Sequence, residues 1–458
     1  MKGDANRETL TSSSQGLAEF LKSAAHPVRV YVLTLLKQGE QEFSALMQQT
    51  KLSKTALANH MNHLVQMGLV QRVARGDYAL TVDGKELLTA TTMVYQNSIR
   101  REEAQREALL DRYTRSMIEG KKVSQKTISK PAVYQPCWLS YTGAMAGSLR
   151  SLGVNCDVVD VGGYSGYAFV INVSKGMTCP SGPTALPTET WTKIYRGTEK
   201  LGWTIGRYEI PDSYPKKEGH PTSEEVEVAR QLFEKVKQEI NLRDRPVVLW
   251  GLVVPEYGIV NGYEGDSYIV STFRSLGKQP ETPIPFYDLK APGCIEAFFF
   301  KDQVKADAAT RDKEAISNAI EFATADLPVL GNYVAGPAAL DEWATVLERA
   351  SGEKQNYHGN SYVGACVAEG RALSAEFLRR LASRHKGEEF SRHLLNASQS
   401  YREATRLMEG FTKTFPFKFE GDMTLKDRKL GAAMLRKTKA FEEEAAGHMK
   451  KAVGSWES

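Results

Sequence analysis

Two sets of residues in this chain have the types and spacing to do chemistry. The first lies between Ser53 and Met67, where Lys54, Thr55, Asn59, Asn62 and Gln66 carry hydrogen-bonding ends and no acidic residue intervenes. Such a face can meet base edges and phosphates. A little further on, Arg75-Gly76-Asp77 places a basic residue where it could sit beside a phosphate backbone. The second set is built on thiols. Cys137, Cys156, Cys179, Cys294 and Cys366 are scattered, odd in number and without a C-x-x-C pair. They encode neither a disulfide framework nor a structural zinc site, and reduced thiols are expected. A thiol with an unperturbed pKa of about 8.5 needs a base or an imidazolium beside it to attack at neutral pH. Yet residues 221 to 357 contain no histidine, His220 and His358 standing on either side.

The elements that must position the first set follow from periodicity. Leu57, Met61, Leu64 and Val65 recur at the three-and-four spacing of a helix with one buried stripe. Ser53 is placed to cap its start and Gly68 to stop it. Leu69 to Val73 and Tyr78 to Thr81 alternate around the Arg75-Gly76-Asp77 tip, which predicts a two-stranded wing. Upstream, residues 25–33 and 43–46 supply two supporting helices. Here, over about residues 15–100, the chain resembles the ArsR-type winged-helix repressors, through its Ala25-His26-Pro27 run into a helix and its later Leu52-Ser53, helix, histidine and Gly68-Leu69-Val70 pattern. The resemblance implies that Lys54, Thr55, Ala58 and Asn59 face bases and that Arg72 and Arg75 meet phosphate.

A winged helix can also serve as a protein-docking module, and charge weighs only mildly on that choice. Residues 1–85 hold 10 Lys and Arg against 7 Asp and Glu, an excess that suits weak non-specific DNA affinity sharpened by dimerisation. His60 is expected to pack in the helix and His63 to lie on the surface. Metal sensors of this family need cysteines in the winged helix or histidines on its terminal helices. The first cysteine is Cys137 and no histidine lies between His63 and His220, so no metal site is expected, and no cofactor.

At 458 residues the chain is too long for one core and suggests two to four domains. Its net charge of +4 and pI of about 8.5 are too mild for a nucleic-acid coat over the whole surface. No apolar run is long enough to span a membrane and the first residues are polar without a secretory segment, so no membrane partner and a cytoplasmic location are expected. After the winged helix at 1–81, residues 82–120 contain no proline and one internal glycine, Gly84. They predict a helix on the order of 50 Å if continuous. Related regulators dimerise through this helix, so a homodimer is expected. Residues 121–131 read as a basic linker.

From Pro131 the composition shifts toward glycine, aromatic and β-branched residues. Trp138 to Leu152 has the pattern of a helix with a tightly packed small-residue face, Asp157 to Val161 that of a short strand or turn, and Tyr167 to Val173 that of a strand. Arg245 to Ser271 reads as an antiparallel meander. A helix followed about a hundred residues later by such a meander resembles the C39-like branch of the papain-type fold, closest to the butirosin-biosynthesis-H-like group, with its Gly-Tyr-Ser-Gly-Tyr-Ala-Phe element at 163–169. That resemblance covers about 132–310. It implies a nucleophile at Ser140 or Cys137, a histidine position occupied by Glu256 or Tyr257, and an orienting position at Ser271 or Thr272. With a carboxylate where the base belongs, a Cys-His hydrolase is disfavoured.

A cleft that has lost its base can bind instead of cleave. The expected ligand-binding residues are Cys137, Trp138, Tyr141, Tyr164, Ser165, Tyr167, Glu256 and Tyr257, and ring faces plus one carboxylate would suit a small organic cation. The same aromatics could equally be plain core. Residues 311–458 read as a helical domain with no chemistry of its own, its Glu442-Glu443-Glu444 run on a solvated face. The chain is thus expected to be multidomain α+β: an N-terminal winged helix, a central papain-like (C39-like) α+β domain and a C-terminal helical bundle. The implied function is a ligand-responsive transcription regulator binding double-stranded DNA; a Cys137-dependent acyltransferase or amidohydrolase with an autoregulatory winged helix is the alternative.

Overall fold

The computed structural model describes residues 13–96, 124–211, 222–277, 279–304, 308–349 and 356–456. They fall into two units, within 1–122 and 123–458.

The first unit runs α1 (Ser14–Ala24), α2 (Pro27–Lys37), β1 (Gln41–Glu42), α3 (Phe43–Thr50), α4 (Lys54–Gln66), β2 (Val70–Ala74), β3 (Asp77–Leu80) and α5 (Val82–Gln96). His26 Nδ1 accepts from the Val28 amide at 3.2 Å and Pro27 takes the first helical position, so α2 starts with its free amides already reduced. The three strands order as β1-β3-β2, all antiparallel. Val32, Leu36, Leu46, Leu57, Met61, Leu64, Leu69 and Leu87 form one core beneath them. A Cβ on Gly84 would lie 2.1 Å from the Leu69 carbonyl oxygen, so only glycine lets α5 approach the wing this closely. The expected long helix is described as far as Gln96; the remainder of 82–120 lies outside the described residues.

The first strand of the second unit is β4 (Gln125–Thr127), inside the stretch 121–131 expected as a linker, of which 121–123 lie outside the described residues. Lys126 pairs with Tyr263 and Thr127 with Gly262, where a Cβ would come within 2.2 Å of the Lys126 carbonyl oxygen. The missing side chain at Gly262 lets the segment join the sheet. There follow α6 (Ser140–Ser151), α7 (Val158–Ser165), β5 (Asn172–Ser174), α8 (Thr188–Glu199), β6 (Trp203–Pro211), α9 (Ser223–Arg243), β7 (Val247–Trp250), β8 (Tyr257–Glu264), β9 (Ser267–Ser271), β10 (Ile284–Pro285) and β11 (Cys294–Gln303). The sheet orders as β10-β9-β8-β7-β11-β6 with β4 added on β8, and its pairs are antiparallel. The meander is therefore present as β7, β8 and β9. Nearly all of β8 is buried, including the polar Asn261, whose side chain accepts from the Ala132 amide and donates to the Ala132 carbonyl, both at 2.8 Å.

Residues 157–161 are not a strand. Asp157 accepts from the Val159 and Asp160 amides at 2.9 and 3.1 Å while Asp160 accepts from the Asp157 amide at 3.1 Å, a capping box that starts α7. Gly166, with φ of 78°, ends it, and a 3-10 turn occupies Tyr167–Phe169 where a longer strand was expected. Of that segment Asn172–Ser174 forms a strand, paired with β12 (Tyr333–Ala335).

The remaining helices are α10 (Ala308–Thr324), α11 (Pro337–Glu348), α12 (Tyr357–Arg384), α13 (Glu389–Thr414) and α14 (Leu425–Trp456). The expected helices are present, but residues 311–458 are not a domain apart. Cys366, Leu373, Phe377, Leu394 and Met449 share one core with Tyr141, Ile259 and Phe298. The Phe377 ring sits where a side chain on Gly163 would be, a Cβ there falling 2.1 Å from it, so α12 presses onto α7. Glu442 is likewise not solvated. Its carboxylate takes the Arg371 Nε at 2.5 Å, and the same guanidinium donates to the Ala168, Phe169 and Val170 carbonyls, with both side chains 1% exposed. Among the described residues no helix is long and apolar enough to cross a membrane.

Candidate functional site

In the first unit, burial of Leu57, Met61 and Leu64 fixes which side of α4 faces outward. Lys54, Thr55 and Asn59 are exposed on it and Ala58 is half-buried. Ser53 Oγ accepts from the Ala56 amide at 3.3 Å, the expected cap. On the wing, exposed Arg72 donates from Nη2 to Asn62 Oδ1 at 3.3 Å and lies 5.8 Å from the Tyr78 ring centre. That contact ties the wing to the outward face of α4. Arg75 is exposed at the hairpin tip, next to Gly76 with φ of 101°. His60 packs 4.6 Å from the His26 ring, and burial, followed by the nearby His26, Arg29 and His63, lowers its pKa. A half-buried ring biased toward neutrality fits a packing role. His63 is half-buried too.

In the second unit, Cys137 is buried just before α6 and Ser140 opens that helix. The start of α6 is capped from a distance. Glu369 Oε2 on α12 accepts from the Leu139 amide at 3.2 Å, the Trp138 amide at 2.5 Å and the Cys137 thiol at 3.1 Å. Burial, and after it the adjacent Glu369 carboxylate, pushes the Cys137 thiol well up, so it rests protonated. Burial also holds the Glu369 carboxyl above its ordinary range.

Ser140 and Glu256, far apart in sequence, come together. Ser140 Oγ accepts from the Tyr257 amide at 3.1 Å beside the Glu256 carboxyl. The Tyr362 hydroxyl donates to Glu256 Oε1, whereas Oε2 is buried without a hydrogen-bond partner. Burial pushes the Glu256 carboxyl up to about 7, with Ser140 and Tyr362 pulling it back. Ser271 Oγ is taken by the Tyr134 amide at 3.0 Å, and Thr272 bonds to Glu281. His358 opens α12 with its ring 6.0 Å from Tyr362; His220 lies outside the described residues.

Most of the expected aromatic ligand box is interior. Tyr141 packs edge-on to Tyr167 at 5.9 Å and to Tyr257 at 5.7 Å, and the Tyr257 hydroxyl donates to Glu296, which pairs with Arg207. Tyr164 donates to buried Asp312 at 2.5 Å, and Ser165 Oγ accepts from the Tyr167 amide at 3.1 Å. Trp138 differs, being 40% exposed, with Phe417 at 5.0 Å and Tyr362 at 6.2 Å.

Sequence reasoning missed Glu369, Tyr362, Cys366 and Phe417. The usable signal was the spacing of Tyr362, Cys366 and Glu369, four and then three residues apart, which puts them on one helix face.

Residues 26–72 match the family described as bacterial regulatory protein, arsR family. The match runs from the start of α2 into β2 and supports a DNA-binding transcription regulator. None of the curated proteins compared with the chain matches it.

Proposed function

We propose that the protein is a one-component transcription regulator of the cytoplasm, in which a dimeric winged helix binds double-stranded DNA with an affinity set by a small organic cation held in the second unit. The observation that carries the DNA-binding half is the outward face of α4, with Lys54, Thr55 and Asn59 exposed and Arg72 joined to Asn62. Lys54, Thr55, Ala58 and Asn59 read bases, while Arg72 and Arg75 meet phosphates. Dimerisation through the segment after the wing doubles the half-site.

The second unit is read as a papain-like domain that no longer catalyses. An α6 packed on an antiparallel meander supports that reading, Gly147 lying against Ile259 of β8. So does the state of Cys137, whose partner is a carboxylate that opposes thiolate formation instead of an imidazole that favours it. This weighs against the acyltransferase or amidohydrolase alternative. Ligand control requires that the cation bind two conformations of the dimer unequally. Titration of DNA from upstream of the protein's own gene tests the core of the proposal. Retention that weakens steeply with salt is expected; no retention at low salt would sink it.

A further inference from the structure

Aromatic rings from three stretches of the second unit meet at its surface: Trp138 before α6, His358 and Tyr362 at the start of α12, and Phe417 and Phe419 between α13 and α14. Trp138 lies 5.0 Å from Phe417, Phe417 5.7 Å from Phe419, and His358 4.8 Å from Phe419. Trp138, Phe417 and Phe419 are 40%, 42% and 73% exposed, while Tyr362 is half-buried and reaches inward. Exposed rings gathered in this way are unusual unless they contact something.

The buried end of the group decides what. Tyr362 hands its hydroxyl hydrogen to Glu256 Oε1, and Glu256 is half-buried, with its Oε2 shielded from solvent and without a hydrogen-bond partner. An orphaned carboxylate oxygen is costly, and an N–H donor carrying positive charge would relieve both its missing bond and its charge. Glu369, bonded to the Trp138 backbone amide, adds a second carboxylate beside that residue. Lys418 stands between Phe417 and Phe419, and its backbone carbonyl is held by Ser361 Oγ at 3.1 Å. Aromatic rings gathered beside carboxylates favour a cation. The unpaired Oε2 further requires a cation with N–H donors, which a quaternary ammonium lacks.

We propose that Trp138, Tyr362, Phe417 and Phe419, with Glu256 as the acceptor, bind a small protonated aliphatic amine. This deepens the ligand-responsive reading above and rests on it for its regulatory meaning. The site differs from the interior group of Tyr141, Tyr167 and Tyr257, which packs against itself.

The test uses the full chain with n-butylamine as probe, against n-butanol and tetramethylammonium, followed by ligand-observed NMR and calorimetry. Saturable binding of butylammonium is expected, about tenfold weaker for tetramethylammonium and lost for butanol. The Phe417→Ala, Phe419→Ala double variant alters only exposed rings and should unfold at the wild-type temperature while binding at least about tenfold more weakly. Glu256→Gln should lose the preference for butylammonium over tetramethylammonium; if it does not fold, the double variant decides. Absence of saturable butylammonium binding, equal binding of butanol, or an unaffected double variant overturns the site. Amine binding that leaves DNA affinity unchanged would instead overturn the ligand-responsive reading and leave the site standing. Loss of amine binding with salt-sensitive DNA retention intact would remove the site alone.

Discussion

Glu369 Oε2 lies 3.1 Å from Cys137 Sγ, although the two residues stand 232 apart in the chain. The contact joins α12 to the start of α6 and reverses the charge logic of a thiol nucleophile. An imidazolium stabilises a neighbouring thiolate, whereas a carboxylate repels it. The same oxygen serves the Trp138 and Leu139 amides, so one side chain from the helical part of the unit takes over a capping task that the residues before α6 leave undone.

Removing that carboxylate should therefore cost stability more than chemistry. Glu369→Ala strips the acceptor from two amides and a thiol in a largely buried place, a loss of about 3 kcal/mol. Glu369→Gln, which keeps one acceptor oxygen, should lose less. Urea unfolding followed by circular dichroism measures both, and a Glu369→Ala variant within about 0.5 kcal/mol of wild type would contradict this account.

Thiol reactivity should follow exposure and charge. Cys137 and Cys366 are buried with their thiols pushed well up, chiefly by burial, and Cys156 is pushed up to about 12. Cys179 is half-buried, with its thiol beside the Ser181 hydroxyl. Alkylation of the native protein near neutral pH, read by mass spectrometry, should modify Cys179 first and Cys137 only on unfolding. Fast modification of Cys137 would restore the enzymatic alternative.

Glu256 should make the protein less stable as pH rises. Its carboxyl moves from an ordinary 4.5 to about 7 because it is buried. Between those values the folded chain holds a proton that the unfolded chain has released, so unfolding becomes easier with rising pH, and the penalty is complete above about 7. The shift corresponds to about 3 kcal/mol. Glu256→Gln cannot titrate, so its stability relative to wild type should rise by about that amount between pH 4.5 and 7.5. Unfolding free energies that track each other across the window would show the carboxyl to be solvated.

The winged helix was legible in the sequence because everything that makes it is local. Leu57, Met61 and Leu64 repeat within one helix, Ser53 caps it, and Gly68 supplies the positive φ of 72° that turns the chain into the wing. Residues 157–161 misled because Val158, Val159 and Val161 favour a strand, while the decisive Asp157 and Asp160 act through reciprocal capping bonds. The resemblance to the papain-type fold points to Ser140 and Glu256, and the structure does bring them side by side. Their partners were invisible. Periodicity says that Tyr362 and Glu369 share a face of α12, but nothing within the helix says that this face meets residues more than a hundred positions away. Glu442 misled in the same way, since a run of three glutamates reads as solvated until buried Arg371 is found opposite it.

Positioning and reading on the DNA side should separate by mutation. Arg75 sits exposed at the wing tip, whereas Asn59 lies on the exposed face of α4 with Lys54 and Thr55. If Arg75 neutralises a phosphate, Arg75→Ala should weaken binding to all sequences alike and lower the dependence of log K on log salt by about one unit. If Asn59 reads a base edge, Asn59→Ala should cost about 1–3 kcal/mol on the preferred operator and little on random DNA. Arg72 should combine the two effects, because its bond to Asn62 links the wing to α4. Fluorescence anisotropy with operator and scrambled duplexes at several salt concentrations distinguishes these outcomes. An Asn59→Ala variant that loses affinity equally for both duplexes would show that α4 positions the domain without reading sequence through this residue.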